Sequence, residues 1–397
     1  MAFACQRNSY LKELVSKVVT CTQVKNGYEV ILNDTVFFPE GGGQPDDHGK
    51  IGDVNVSRVI RRGPKAIHVT DGPLREGDEL KCSIDWKRRF DHMQQHSGQH
   101  LLSAVLDAKF GFKTTSWDLG KSVSHVELNT PKISSKQMSE VEDECNERIR
   151  NAKNVQVHYL TKEQAMDLEE VKTRGLPDDV IEPIRVIEIH GVEKNMCCGT
   201  HVENLSELQM IKLLHTESMR GGIRVFFLVG DRVLNKVAIG YDVEKKLTKL
   251  LSCGIDEHSD SVEKLKGNLR VSQKSNKNYL KELGKFEAKE HSLKAKETSY
   301  IFHFREDADM DYIFSFLNGL AEESKDWIVF VSAGTVKNGG QFVLRGPEQK
   351  IAKISSEIVK TIEGKGGGKK GQFQGKANSF KKVDEVENII QGAVNES

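Results

Sequence analysis

The sequence contains no apolar run long enough to cross a lipid bilayer, which takes about 20 consecutive apolar residues. Residues 1–7 have neither the basic region nor the apolar region of a secretory signal peptide. Hydrophobic residues make up 37% of the 397-residue chain and charged residues 29%, a balance typical of soluble globular proteins. We therefore expect a cytoplasmic protein without a membrane partner.

Cysteine is scarce and scattered. The chain has seven cysteines, an odd number, and no export signal accompanies them. This pattern excludes a disulfide framework and indicates cytosolic thiols. The adjacent pair Cys197 and Cys198 is the one arrangement that needs a chemical explanation.

An excess of charge of either sign is also missing, because 58 basic and 58 acidic side chains give a formal net charge of zero. Global charge therefore neither favours nor excludes a nucleic-acid partner, and any phosphate-binding surface must be a local patch. The chain also lacks a Walker loop, because no Gly-Lys pair in residues 364–376 is followed by Ser or Thr. We expect no nucleotide cofactor, and composition predicts that this stretch is a flexible basic loop.

The first part of the chain is predicted to be rich in β-strands. Between residues 15 and 85, short β-rich segments such as residues 28–32 are bounded by turn residues, which indicates a small barrel or a compact sheet. Residues 37–45 (FFPEGGGQP) interrupt this region, and their three glycines permit close approaches that a Cβ atom resists. A helix is predicted to begin near Asp85 and to end near Gly111.

The middle of the chain mixes strands and helices without strict alternation, which predicts an α+β fold. Ser134 or Ser135 is expected to cap a helix over residues 134–151. The predicted strands cover residues 124–128, 185–189, 211–214 and 223–229.

Beyond Asp231 the pattern becomes helical. A heptad seam predicts a helical hairpin or a coiled-coil arm. Its positions are Val262, Leu265, Leu269, Ser272, Asn276, Tyr279, Leu283 and Phe286. Frequent lysines along the same stretch are either a solvated helical face or an RNA contact. An α/β unit is predicted to follow, with strands at residues 328–333 and 342–344 and a helix at residues 351–362.

Histidine and cysteine spacing predicts a metal site. His92, His96 and His100 are four residues apart on the predicted helix, so neighbouring pairs lie one turn apart on one face. Far along the chain, the Cys197 thiol and the His201 imidazole are also four residues apart. Two histidines, one cysteine and a third histidine would complete a four-ligand zinc site. Spacing alone leaves open which helical pair binds, and whether Cys197 or Cys198 is the thiol ligand.

The helical pair His92 and His96 also has the spacing found in zinc peptidases. Met93 stands where that mechanism needs a glutamate base, so peptidase activity is disfavoured.

Three motifs together resemble the editing domain of alanyl-tRNA synthetases and its stand-alone AlaX-type relatives. They are FFPEGGGQP (residues 37–45), HSGQHLL (residues 96–102) and CCGTHV (residues 197–202). The resemblance covers residues 15–235, and RGGIR (residues 220–224) is similar to the closing strand of that core. The sequence departs from the commonest pattern at Ser97-Gly98 and at Cys198.

The resemblance implies one zinc ion held by His96, His100, Cys197 and His201. It also implies that Thr35 contacts a substrate hydroxyl. The glycine loop is expected to bind substrate through Gly41, Gly42, Gly43 and Gln44. No catalytic base is identified.

The implied activity is trans-editing by an aminoacyl-tRNA deacylase, which removes serine from mischarged tRNA(Ala), with glycine as the second candidate amino acid. Nothing resembles a synthetase activation domain, so the chain is expected to edit without charging. The alternative is a non-catalytic tRNA-binding accessory protein with a structural zinc, because closed four-ligand sites are usually structural.

The expected architecture is α+β in four parts. Residues 1–88 form a small β-barrel-like domain with the glycine loop, and residues 89–235 form the zinc-binding editing core. Residues 236–298 form the helical arm. Residues 299–397 form an α/β domain with the glycine-rich stretch, which resembles the C-terminal, tRNA-binding domain of alanyl-tRNA synthetases.

Overall fold

The computed structural model describes residues 2–161, 163–164, 171–172 and 183–395. Met1 and residues 396–397, at the ends of the first and last predicted domains, lie outside the described residues. The chain divides into two compact units, Met1–Lys245 and Lys246–Ser397. The division into four domains remains a prediction.

Within the described part of the chain, every helix is too short or too polar to span a membrane.

The first unit begins with a closed six-stranded barrel, in the strand order β1-β2-β5-β4-β3-β6. A short helix α1 (Ala4–Arg7) precedes strands β1 (Glu13–Val24), β2 (Gly27–Leu32), β3 (Gly49–Ile51), β4 (Val54–Arg62), β5 (Lys65–Thr70) and β6 (Glu79–Ile84). Neighbouring strands are antiparallel, and Val18, Val30 and Val59 fill the interior. The predicted small barrel is confirmed.

Helix α2 (Trp86–Phe110) is the central helix of the first unit. It begins where the Asp85 carboxylate accepts the Arg88 N–H at 3.1 Å, which satisfies one unpaired donor of the first turn. It ends at Gly111, whose φ of +66° places it in the left-handed region. Both predicted ends are confirmed, and the middle of the helix is buried on all sides.

Two four-stranded sheets complete the first unit, in the orders β13-β14-β8-β7 and β10-β12-β11-β9. The elements are β7 (Thr114–Asp118), β8 (Ser124–Leu128), α3 (Ser135–Arg150), β9 (Val155–Leu160), β10 (Val171–Lys172), β11 (Ile184–Ile189), β12 (Glu193–Met196), β13 (Ile211–Met219) and β14 (Gly222–Val229). Leu101 and Leu102 of α2 share one core with Val126 and Val225 of the first sheet. The Ser134 hydroxyl caps α3 by accepting the Gln137 N–H.

The second unit has a five-stranded sheet in the order β15-β16-β17-β19-β18, in which only the β15–β16 pair is parallel among the described strands. Helix α4 (Asp231–Leu251) starts in the first unit and ends in the second. The elements that follow it are α5 (His258–Thr298), β15 (Tyr300–Arg305), α6 (Met310–Gly319), β16 (Ile328–Thr335), β17 (Gly339–Arg345), α7 (Glu348–Thr361), β18 (Lys365–Lys369), β19 (Gln372–Ala377) and α8 (Val383–Asn395). The mixed α+β class is confirmed.

Helix α5 buries a different face from the predicted heptad seam. Gly284, Ala288 and Ser292 are buried, and a Cβ atom on Gly284 would lie 3.1 Å from the Tyr312 oxygen of α6. Small residues here let the two helix backbones approach closely. The seam side chains Leu265 and Phe286 are exposed instead. A coiled coil needs a second helix on that seam, so this feature stays a prediction.

The expectation of a flexible loop over residues 364–376 was wrong, because β18 and β19 pair there as an antiparallel hairpin. The glycines serve close packing: a Cβ atom on Gly368 would lie 1.9 Å from the Gln372 oxygen, and one on Gly375 would lie 2.1 Å from the Lys365 oxygen. Composition pointed to flexibility because it takes no account of strand pairing.

Candidate functional site

The structure brings together His96, His100, Cys197 and His201, whose donor atoms all lie within 4.8 Å of one another. His96 and His100 are one turn apart on α2, and Cys197 directly follows β12. The Cys197 Sγ atom lies 3.3 Å from His96 Nε2 and 3.3 Å from His201 Nε2. The four side chains are thus collected from two distant parts of the chain.

This donor set fits a zinc ion. Tetrahedral zinc, with bonds of about 2.0–2.3 Å to nitrogen and sulfur, separates its ligand atoms by about 3.3–3.6 Å. The two sulfur–nitrogen distances above agree with that spacing. His92 and Cys198, the alternatives that spacing left open, are not members of the group.

Each of the three imidazoles has a protein partner for its Nδ1 atom. The pairs are His96 with Gln44 Oε1 at 2.8 Å, His100 with Glu193 Oε1 at 3.0 Å, and His201 with Ser97 Oγ at 3.1 Å. An acceptor at Nδ1 fixes the tautomer and the ring orientation and leaves Nε2 free to bind a metal. The surrounding side chains therefore orient all three rings toward a common point.

The ionisation of the group is dominated by its burial and its mutual contacts. Burial raises the pKa of the Cys197 thiol, but the facing His96 and His201 rings outweigh it, so this pKa lies well below its usual value. Burial also lowers the pKa of His96 and of His201. For His100, burial lowers the pKa, yet hydrogen bonds to Cys197 and Glu193 raise it to about 10. Metals bind a thiolate and neutral imidazoles, so a metal bound here would displace the proton of His100.

The glycine loop is a tight turn beside this group. The Gly41 N–H donates to the Gln44 oxygen at 3.1 Å, and the Gln44 N–H donates to the Gly41 oxygen at 3.1 Å. Gly42 and Gly43 lie between them with φ of +56° and +79°, and positive φ at both central residues is the signature of a type I′ turn. A Cβ atom on Gly43 would lie 2.8 Å from the Trp117 ring. The turn therefore requires glycine for both conformation and space.

Gln44 joins the glycine loop to the cluster of three histidines and Cys197. Its side chain is fully buried, and its Oε1 atom accepts from His96 Nδ1 and from the Thr200 N–H at 3.0 Å. Its Nε2 atom donates to the Thr200 hydroxyl at 2.8 Å. The Gln44 side chain thus contacts other parts of the protein while its main chain closes the turn, and a substrate contact by Gln44 stays a prediction.

Position 199 requires glycine because of a close contact, and not because of a positive φ. A Cβ atom there would lie 2.2 Å from the Cε1 atom of His96. The glycine between Cys197 and His201 therefore allows both ligands to reach the same imidazole.

Thr35 lies in the barrel, with 2% of its surface exposed. Its hydroxyl is 2.8 Å from His68 Nε2 and accepts the Phe37 N–H at 3.0 Å. His68 Nδ1 is 3.0 Å from the Val30 oxygen, so it carries the proton and Nε2 accepts from Thr35. Burial lowers the pKa of His68 to about 4. The Thr35 hydroxyl keeps one lone pair that no described contact uses.

The sequence motifs missed two residues of the site. Glu193 stands four positions before Cys197 but outside the motif, and it reaches His100 only because β12 runs beside α2's histidines. Trp117 lies on β7, and its ring centroid is 4.8 Å from that of His96. Neither position carries a spacing signal, so only the folded chain reveals them.

One segment of this site matches a known protein family. Residues 184–225 match the model of the threonyl and alanyl tRNA synthetase second additional domain. This segment contains two of the four donor residues, Cys197 and His201.

Comparison with individual proteins covers almost the whole chain. It is 44% identical to the alanyl-tRNA editing protein Aarsd1-B of Xenopus laevis over 409 residues, which span 99% of this chain and 98% of that protein. It is 42% identical to Aarsd1 of Mus musculus over 412 residues, with the same coverage. It is 32% identical to the alanyl-tRNA editing protein AlaX-L of Pyrococcus horikoshii over 244 residues, 58% of each chain.

Proposed function

The chain belongs to the family of alanyl-tRNA editing proteins, and we propose that it is a deacylase that removes a wrongly attached amino acid, serine above all, from tRNA(Ala). The observation that carries this proposal is the cluster of three histidines and one cysteine beside the glycine turn. The bond to be cleaved is the ester between the amino acid and the terminal ribose. Glycine is the second candidate amino acid.

Editing is needed because serine differs from alanine by one hydroxyl. A pocket that admits alanine rejects such a near-isostere by only about a hundredfold. A second site that hydrogen-bonds the hydroxyl discriminates better, because its polar groups stay unpaired when alanine enters. We assign this role to Thr35: its hydroxyl donates to His68, so its free lone pair accepts from the serine hydroxyl.

The glycine turn and the histidine cluster hold the ester. A zinc ion bound by the four residues would polarise the carbonyl, position the amine or activate water. The N–H groups of Gly42 and Gly43 have no protein acceptor among the described contacts, and we assign them to the substrate carbonyl. Gln44 keeps the turn and His96 in a fixed relation.

A deacylation assay tests the proposal. Zinc-loaded protein should release serine from serine-charged tRNA(Ala) and leave alanine-charged tRNA(Ala) intact, while glycine-charged tRNA measures the second candidate. A chelator should abolish the release, and added zinc should restore it. Intact serine-charged tRNA after incubation with fully zinc-loaded protein would refute the proposed function.

The second candidate is a non-catalytic tRNA-binding protein, which the closed four-donor set favours because such sites are often structural. His96→Ala distinguishes the two: in a deacylase, turnover is lost while the second unit still binds tRNA. His92→Ala, outside the donor group, should retain one zinc per chain. If His96→Ala and wild type release serine equally slowly, the accessory function replaces the enzymatic one.

A further inference from the structure

Two of the four proposed metal ligands, Cys197 and His201, lie on a loop. Residues 197–203, which we call the ligand loop, follow β12 and belong to no helix or strand. The repeating hydrogen bonds of a helix or a sheet therefore do not fix the main chain that carries these two ligands. The conformation of the ligand loop depends instead on hydrogen bonds from other parts of the first unit.

Three main-chain groups of the ligand loop bond to side chains near the start of the protein. The pairs are Gln6 Nε2 with the Cys198 oxygen at 2.9 Å, the Ser9 hydroxyl with the His201 N–H at 3.3 Å, and the Tyr10 hydroxyl with the Glu203 N–H at 3.1 Å. Resting on the metal site of the proposed function, we infer that the N-terminal segment, residues 3–10, positions the ligand loop for metal binding. Gln6 and Ser9 are its positioning residues.

The orientation of the Gln6 amide is determined by its two partners. Its Oε1 atom accepts the Phe3 N–H at 3.0 Å, and its Nε2 atom donates to the Cys198 oxygen. A flipped amide would place a donor against a donor and an acceptor against an acceptor. Only 6% of Gln6 is exposed, so water has little access to replace either partner. The side chain therefore holds the Cys198 oxygen in one position.

Arg185 adds a second link between Gln6 and the ligand loop. This buried side chain donates from Nε to the Gln6 main-chain oxygen at 3.3 Å and from Nη1 to the Cys197 oxygen at 2.6 Å. Because the guanidinium is planar and rigid, it keeps these two carbonyl oxygens in a fixed relation. Gln6 is thus connected to the main chain of the thiol ligand itself and of the residue that follows it.

The N-terminal segment is also held from its other side. The Cys5 N–H donates to the Thr35 oxygen at 3.2 Å, and the Ser9 oxygen accepts from Nη1 of Arg89, a fully buried side chain of α2, at 2.9 Å. The segment therefore connects the ligand loop to the barrel and to the helix of the other two proposed ligands. A loop that spends less time in the binding arrangement has a proportionally lower apparent metal affinity.

Competition between the full chain and a fluorescent chelator for zinc tests the inference. Gln6→Glu keeps an acceptor for the Phe3 N–H, since glutamate suits this position of a helix start, but it removes the donor to Cys198. We expect roughly 5- to 50-fold weaker zinc binding, the order expected for one lost hydrogen bond in a mostly buried place. Gln6→Met, which introduces no charge, should give a loss of the same order.

Ser9 provides a second and smaller change. Ser9→Ala removes the acceptor of the His201 N–H and should weaken zinc binding by roughly 2- to 10-fold. Ser9→Thr keeps the hydroxyl and should restore most of the affinity.

The chain offers two matched controls. Gln137 accepts the Ser134 N–H at 3.0 Å at the start of α3, the position that Gln6 has in α1, so Gln137→Glu makes the same chemical change elsewhere. Arg7 follows Gln6 on α1 but bonds to Asp34 and to a main-chain oxygen of its own segment. Gln137→Glu and Arg7→Ala should bind zinc like wild type.

A cobalt spectrum separates positioning from a merely structural role. Cobalt(II) in place of zinc gives thiolate-to-metal and visible bands that depend on the geometry of the Cys197 bond. The Gln6 variants should shift or weaken these bands at saturating cobalt. A structural role alone would lower the melting temperature of the metal-free chain and leave the spectrum of the folded, cobalt-saturated chain unchanged.

The outcomes separate this inference from the proposed function. If Gln6→Glu, Gln6→Met and Ser9→Ala bind zinc and cobalt as the two controls do, the inference is overturned, whether or not wild type releases serine. If wild type binds zinc and releases no serine while these variants lose affinity, the proposed function fails and the inference stands. If Gln6→Glu does not fold, Gln6→Met and Ser9→Ala decide. If wild type binds no zinc, the inference falls together with the metal site.

Discussion

One protein group contacts the Nδ1 atom of each imidazole in the candidate metal site, and Glu193 is the only charged group among these three. Its carboxylate lies 3.0 Å from His100 Nδ1, an arrangement that makes the imidazole a better metal ligand. We predict that Glu193→Gln lowers zinc affinity by about 10- to 100-fold without unfolding the chain. Competition with a fluorescent chelator measures the affinity.

A second carboxylate–histidine pair provides the control for that experiment. Glu188 lies 2.8 Å from His158 Nε2 on the neighbouring strands β11 and β9, away from the donor cluster. Glu188→Gln should leave zinc affinity unchanged. Equal losses in the two variants would mean that Glu193 has no special role.

His68 should make the stability of the barrel depend on pH. Its pKa is about 4 in the folded chain, because burial disfavours the charged ring, against about 6.5 when unfolded. The unfolded state therefore binds more protons between these values. Neutral His68 therefore contributes about 3 kcal/mol to the free energy of unfolding above pH 6.5, and this contribution is lost as the pH falls toward 4.

Urea unfolding of wild type and His68→Gln between pH 4 and 7.5 measures this effect. The free energy of unfolding of wild type should exceed that of the variant at pH 7.5, and the difference should shrink as the pH falls. A difference that stays constant across this range would contradict the assignment of a neutral, buried His68.

At the scale of elements, the glycine-rich hairpin β18–β19 depends on close strand contact. Gly368 has no room for a Cβ atom, which would lie 1.9 Å from the Gln372 oxygen, whereas nothing lies within 4 Å of the same position on Gly367. We predict that Gly368→Ala destabilises the second unit by about 1–3 kcal/mol, the usual cost of overpacking, and that Gly367→Ala is tolerated. Thermal unfolding of the two variants makes the comparison, and equal melting temperatures would argue for a mobile loop.

The long helix α5 shows how an element can satisfy one pattern while packing by another. Its buried stripe of small residues, including Ala288 and Ser292, contacts α6, and Ser292 also accepts the Ala321 N–H at 3.1 Å. Most of the larger apolar residues of the heptad pattern, among them Leu265, Leu269 and Phe286, remain exposed. Close backbone approach, rather than the size of the apolar side chains, decides which face is buried.

At the scale of the whole molecule, a formal net charge of zero means that tRNA affinity must come from local cations. Lys285 and Lys289, one turn apart on α5, are exposed and form no ion pair in the described part of the chain. If α5 contacts phosphates, the double variant Lys285→Gln/Lys289→Gln should reduce the salt slope of log K for tRNA by about 1–2.

Filter binding of tRNA at salt concentrations between about 50 and 200 mM measures this slope. Lys25 and Lys65 in the barrel region are exposed lysines for a matched double replacement. An unchanged slope in the α5 variant would identify its lysines as a solvated face.

The sequence by itself determined the local elements and the spacing of the candidate metal donors. Turn residues and capping groups act over a few positions, so the start of α2 at Asp85 and its end at Gly111 could be predicted. Histidines one turn apart share a helical face whatever the rest of the chain does. The choice of His100 over His92 came from family resemblance, and the cluster of the four donors agrees with it.

Only the tertiary structure decided which distant groups meet. Gln44 and Glu193 reach the imidazoles from a barrel loop and from β12, and their separations in sequence, 52 and 93 residues, leave no periodic signal. The hairpin β18–β19 formed where composition pointed to a loop, because pairing between strands supplies hydrogen bonds that no single segment contains. Propensity and spacing are local, whereas burial, orientation and strand pairing depend on the whole folded chain.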